Sequence, residues 1–138
     1  MNALPPPSPE VLLASMPYAV ALGIHVDEAT ASETRGHLQW DPELTTVGDG
    51  FHGGVLMALA DSVGAICAYL NLPERAGTAT VESKTNFFRA LRDGTVHAVA
   101  TPIHVGRSFI VVQTELRDDP GRLIAMTIQT QAVTTQKS

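Results

Sequence analysis

A single cysteine, Cys67, stands among the 138 residues, which excludes an intrachain disulfide and every CxxC metal or redox motif. Set inside an apolar stretch, it reads as a small buried hydrophobe. No apolar run reaches the roughly 18 residues of a membrane span. The proline-rich start, Met1 to Pro9, has neither a basic segment nor a long apolar core, so no signal peptide is expected. The expectation is a cytoplasmic protein with no membrane partner. Positive charge is also scarce: nine Lys and Arg against fourteen Asp and Glu give a net charge of -5, which argues against a polyanion-binding surface and a nucleic-acid partner. A local basic patch for a small anionic ligand stays open. Internal repeats and low-complexity linkers are missing as well.

What is present suits one globular domain over residues 1–138, with residues 1–9 as a flexible N-terminus; the composition is 44% hydrophobic. A chain of this size buries about two thirds of its unfolded surface. Pro9 to Leu22 carries a helical pattern interrupted by Pro17 and ending near Gly23. Ile24 to Glu28 and Glu33 to Trp40 alternate like two strands of a hairpin. A loop, Asp41 to Phe51, leads into a helix from Gly53 to about Leu70 that is apolar nearly all round and belongs in a core. After the breaker Asn71 to Gly77, four strands are expected at Thr78 to Phe88, Val96 to Val105, Ser108 to Arg117 and Leu123 to Val133, as an antiparallel meander. The turn Asp118-Asp119-Pro120-Gly121 reads as a hairpin with solvated charges. A sheet of about six strands with one face to bury, and one sufficiently apolar helix, gives an α+β fold in which the sheet wraps that helix.

The most informative stretch is His52-Gly53-Gly54 and the run after it, which holds one carboxylate, Asp61. A carboxylate buried there without a partner would lose several kcal/mol of hydration, so something must compensate. The paired glycines let a ligand approach the backbone and leave N–H groups free at a helix start, where partial positive charge collects. An electrophile-binding helix start and an acid on the same helix suggest catalysis. His25, His37, His97 and His104 fall on separate expected strands with no close ligand spacing, so no metal site is expected.

These residues, with Thr80-Val81-Glu82 leading into Asn86-Phe87-Phe88-Arg89-Ala90 and with His104-Val105-Gly106-Arg107-Ser108, resemble the hotdog-fold acyl-CoA thioesterases, in particular the phenylacetate-degradation (PaaI-like) branch. The resemblance covers about Leu22 to Val133. It implies hydrolysis of an acyl-CoA thioester without metal or cofactor, coenzyme A being part of the substrate. It implies that the Gly53 N–H polarises the thioester carbonyl and that Asp61 is base or nucleophile. His52 shapes the loop, and Thr80 stands where relatives orient the water. Gly54, Arg89, Gly106, Arg107 and Ser108 fall where substrate is bound, the arginines near phosphates of coenzyme A. Two positions depart from the pattern: Thr46 replaces an asparagine found in several relatives, and Ala90 replaces a common proline. Phe51, Met57, Leu44 and Ala58 are the expected pocket liners.

Geometry adds a constraint. Eight residues of helix separate Gly53 from Asp61 by about 12 Å, whereas both must lie within about 3 Å of one thioester. Two copies of the helix packed antiparallel about a two-fold axis would bring Asp61 of one to Gly53 of the other, so a homodimer with shared sites is expected. The resemblance implies the same, with further pairing into a homotetramer. Two other functions stand beside hydrolysis: an acyl-CoA-binding module that acts as a sensor or scaffold, and a hotdog dehydratase or hydratase.

Overall fold

The computed structural model describes residues 5–135. In chain order the elements are α1 (Pro9–Ala14), α2 (Pro17–Leu22), β1 (His25–Ala29), β2 (Thr34–Gln39), a 3₁₀ turn (Pro42–Leu44), α3 (Gly53–Tyr69), β3 (Ala76–Phe87), β4 (Thr95–Val105), β5 (Phe109–Arg117) and β6 (Leu123–Thr135). Ser8 caps α1 through the Val11 N–H, so residue 9 already belongs to a helix rather than to a flexible tail; the expectation for residues 1–4 lies outside the described residues. Pro17 opens α2, and Gly23, at φ 87°, closes it in the left-handed conformation that glycine adopts without strain. Among the described residues no helix is long and apolar enough to cross a membrane.

All six strands form one antiparallel sheet in the order β1-β2-β4-β5-β6-β3. The expected four-strand meander holds only for β4-β5-β6. β3 pairs with β6 along nearly its whole length and lies at the far edge of the sheet. The reason is topological: after β3 the chain crosses to the free edge of β2, and β4, β5 and β6 fill the sheet from there back to β3. Helix α3 packs across the face of the sheet, touching all six strands. Leu59, Val63, Cys67, Val96, Ile110, Val112 and Leu116 are fully buried between them. Burial pushes the Cys67 thiol up to about 11, against a smaller opposing bond with Thr34, so this cysteine is an inert core residue.

Expectation and structure part on α3's surroundings. The helix is not buried all round: Gly54, Met57, Asp61 and Tyr69 are exposed, with Ala58 and Ala65 half-buried beside them. These positions form one stripe on the open side of the helix next to β3, small and apolar apart from Asp61. Three of the histidines that fall on separate strands are cross-strand neighbours. His25 pairs with His37 and His37 with His97, and the first two rings stack at 4.8 Å. His37 bonds Asp27 and His97 bonds Asp119, each at 2.8 Å.

The β5–β6 turn also differs from the expected solvated hairpin. Asp118 is 2% exposed and accepts bonds of 2.7 Å from both the backbone N–H and the Nε of Arg122. Burial opposes its charge, but the Arg122 bonds and charge together outweigh it and hold the carboxyl below the usual aspartate range. A lowered folded-state value means stability that is present above the ordinary aspartate value of about 4 and is lost as pH falls through the lowered one. Asp118→Asn should therefore melt below wild type at pH 7, with the gap closing as pH drops below about 4; thermal melts across that range check it.

Candidate functional site

The opening of α3 is built by the loop before it. Thr45 and Phe51 form an antiparallel bridge, Thr46 exchanges backbone bonds with Gly50 and Asp49, and the His52 N–H donates to the Leu44 carbonyl at 2.8 Å. His52 is the helix N-cap: its Nδ1 accepts the Gly54 N–H at 2.8 Å, which leaves Nε2 as the protonated nitrogen when the ring is neutral. The His52 carbonyl takes the N–H groups of Val55 and Leu56. Of the first four N–H groups of α3, three are thus satisfied, and the Gly53 N–H alone has no acceptor among the described residues. Both glycines are close-fitted. A Cβ on Gly54 would come within 3.0 Å of the capping Nδ1, and one on Gly53 within 3.3 Å of the Phe87 ring.

Two turns along, Asp61 lies on the exposed stripe, so its hydration is largely retained. Its compensation comes from the sheet beneath. Gln129 Nε2 donates to Asp61 Oδ1 at 3.1 Å, and Thr80 Oγ1 approaches the same oxygen at 3.4 Å. Behind Thr80, Gln131 Nε2 donates to its hydroxyl at 2.8 Å and Gln131 Oε1 accepts from Thr78 at 3.1 Å. With its proton directed to Asp61 and one lone pair taken by Gln131, Thr80 keeps one lone pair for any further partner. Sequence reasoning missed both glutamines. Each is buried, and the available signal was Gln129 and Gln131 alternating with β6 residues inside a strand whose other inward positions are apolar or threonine.

The remaining site residues fall into two groups that one chain does not unite. Gly53 and Phe51 share a 390 Å³ cavity with Leu56, Phe87, Phe88 and Arg89 at one end of β3. Asp61 and Thr80 share a 310 Å³ groove with Tyr18, Gly54, Met57, Ala58 and Ser83. The Gly106-Arg107-Ser108 turn lies by the far end of β3: Ser108 accepts from the Val133 N–H, and Val133 pairs with Thr78. A Cβ at Gly106 would meet the exposed His104 Nε2 at 2.6 Å and turn that ring aside. Arg89 and Arg107, both exposed, therefore stand at opposite ends of the strand, and seven residues of strand between Thr80 and Phe87 amount to about 23 Å. Thr46 is exposed in the loop. Of the expected pocket liners, Met57 and Ala58 do border the Asp61 groove, whereas Phe51 belongs to the Gly53 cavity and Leu44 to a separate 220 Å³ hollow beside Trp40. Among the described residues no group of three or more His, Cys, Asp or Glu could hold a metal ion.

Comparison with known proteins fits this geometry. The sequence profile of the thioesterase superfamily matches residues 50–125, from the loop before α3 into β6. A Mycobacterium tuberculosis protein whose name gives it provisionally as an esterase is 30% identical over 123 residues, 87% of this chain and 88% of that one. The 1,4-dihydroxy-2-naphthoyl-CoA hydrolase of Escherichia coli is 34% identical over 82 residues, 59% of this chain and 60% of that one. The chain spans less than two thirds of the length of some of the curated relatives it matches, this hydrolase included. The crystal structure of a Haemophilus influenzae thioesterase superposes with a TM-score of 0.88 at 27% identity, covering 95% of this chain and 93% of that one. A six-stranded sheet laid across one long helix that opens on His-Gly-Gly, together with these matches, shows that the chain belongs to the thioesterase superfamily of hotdog-fold thioester hydrolases.

Proposed function

We propose that this protein hydrolyses acyl-CoA thioesters without a metal, in the manner of the PaaI-like branch, using a site completed by a second copy of the chain. The observation that carries the reading is the pairing of one unengaged helix-start N–H, on Gly53, with one carboxylate, Asp61, held at a single oxygen. In the reaction, Asp61 Oδ2 takes a proton from water as the water oxygen attacks the thioester carbonyl carbon. The Gly53 N–H receives the developing oxyanion, an interaction that lowers such a barrier by roughly 3 kcal/mol. Collapse of the intermediate breaks the C–S bond, and the departing thiolate takes the proton from Asp61. Direct attack by the same Oδ2 is the other route; it would leave oxygen from labelled water in Asp61 after a single turnover.

The second copy enters through β3. This strand is a sheet edge twelve residues long, with Val81 60% and Phe87 50% exposed, the kind of edge that pairs with another chain. Thr80 lies beside Asp61 and Phe87 beside Gly53, so β3 and α3 run in opposite directions. Bringing Asp61 to Gly53 of a second copy therefore sets the edge register. With the Val81 bulge counted as one position, Thr80 faces Phe87 of the second copy, Ser83 faces Thr85, and the two-fold axis passes at Lys84. Residues that face each other then point to the same side of the sheet, as pairing requires. The same operation brings the Arg107 turn of one copy toward Arg89 of the other, two cations for the phosphates of coenzyme A.

The acyl group fits a cavity of 370 Å³ one turn beyond Asp61, between α1, α3 and the start of β3. Val11, Leu12, Met16, Ala65, Ile66 and Tyr69 line it, and no charged residue does, so it suits a hydrocarbon or aryl group and disfavours an acyl chain ending in a carboxylate.

Three outcomes are expected. Against a panel of acyl-CoAs with thiol release measured, wild type hydrolyses apolar acyl groups and Asp61→Ala falls by at least about 10²-fold in kcat; a wild type that binds acyl-CoA yet releases no thiol would make it a binding module instead. Val11→Trp, which fills the acyl cavity from α1, should lower kcat/KM for octanoyl-CoA by about tenfold or more while leaving acetyl-CoA within about twofold. Lys84→Cys should form a covalent dimer on mild oxidation. Glu82→Cys should not, since its sulfurs would be separated by about four strand positions, or roughly 13 Å; a gel that shows the reverse pattern rules out this register.

A further inference from the structure

Gln129 sits on β6, is fully buried, and faces the underside of α3 opposite Ser83. Its amide makes one bond among the described residues, from Nε2 to Asp61 Oδ1. Among the described residues the other end of the amide, Oε1, has no partner, and the buried Thr114 hydroxyl nearby has none either. The direction of the amide follows from its partner, because an ionised carboxylate only accepts and Nε2 is the end that donates. Above the amide stands Gly64. A Cβ there would overlap Oε1 and lie 2.8 Å from Cδ, so any side chain at position 64 displaces this amide from its present place.

Both choices are unfavourable for the fold alone. Glycine in mid-helix is a poorer helix former than alanine, and a buried carbonyl oxygen without a donor is destabilising. Leucine or methionine at 129 would fill the same volume with no orphaned atom. The two penalties meet at one amide whose sole bond is to the acid of the site.

We infer that Gln129, seated in the gap left by Gly64, is the positioning residue of this site: it holds Asp61 by Oδ1 and leaves Oδ2 as the reacting oxygen. The second contact to Asp61, from Thr80, falls on the same Oδ1, so neither donor engages Oδ2. Asp61 stands on an exposed helix face, where an unrestrained side chain would move among rotamers. Fixing one oxygen from below selects the rotamer that aims the other outward, and misplacement of a reacting group by about 1 Å is worth about 10²-fold in rate.

The inference rests on the hydrolase reading, and a double-mutant cycle separates the two. Gln129→Met should lower kcat by about 10- to 100-fold, with KM within about twofold and little change in Tm, a split that a packing role would not give. Gly64→Ala should lose kcat similarly by displacing the amide. In a Gln129→Ala background, however, Gly64→Ala should cost no further activity and should raise Tm, since the methyl then enters free space and favours the helix. Unchanged kcat in Gln129→Met, while Asp61→Ala is inactive, overturns the positioning role and leaves the hydrolase standing. Additive losses around the cycle overturn it equally. A wild type inert toward every thioester in the panel overturns the hydrolase reading, and this inference with it.

Discussion

A helix advances about 1.5 Å per residue, and that rise governs everything proposed for this protein. Gly53 and Asp61 belong to one rigid rod whose inner face is locked against six strands, so their separation of about 12 Å cannot be shortened within a chain. The fold answers in the way it treats the rod's outer face. There the stripe is small or apolar, open, and flanked by a free strand edge running the opposite way. In the proposed dimer, a second rod laid antiparallel on that stripe turns a fixed distance within one chain into a contact between two.

Local structure and electrostatics support the same arrangement at each end. At the helix start the capping imidazole of His52 and its carbonyl occupy three N–H groups, and a single donor remains. At the acid, the sheet supplies two donors to one oxygen and none to the other. Each end is thereby reduced to one available atom. That economy of open valences, more than the presence of the residue types, is what supports the proposed reacting site over a capped helix with a surface aspartate.

Much of this was legible in the sequence. Proline and glycine punctuation marked α1, α2 and the strand ends to within two residues, and the change of period after Pro73 separated the helix from the later strands. The loop to His-Gly-Gly gave the helix start directly. Strand order was less legible, because β3 and β4 are adjacent in sequence and equally strand-like, and nothing local says that β3 pairs with β6. The polar layer under α3 was least legible. Gln129 and Gln131 look like outward residues of an edge strand until the sheet's register turns them inward, and Gly64 looks like any small residue of a core helix until the amide beneath it is seen.

The gap at Gly64 has a consequence for how this protein can change over time. Positions 64 and 129 are 65 residues apart in the chain yet are physically coupled, since the amide keeps its present place only while no side chain stands opposite it. A lineage that acquired alanine or serine at 64 would first have to surrender the amide. Conversely, once 129 drifts to an aliphatic residue, nothing retains the glycine, and ordinary selection for helix strength would fill the space. The route back would then run through a glycine regained at 64 at a cost in helix strength before the glutamine could return, which makes the loss, once it happens, slow to reverse.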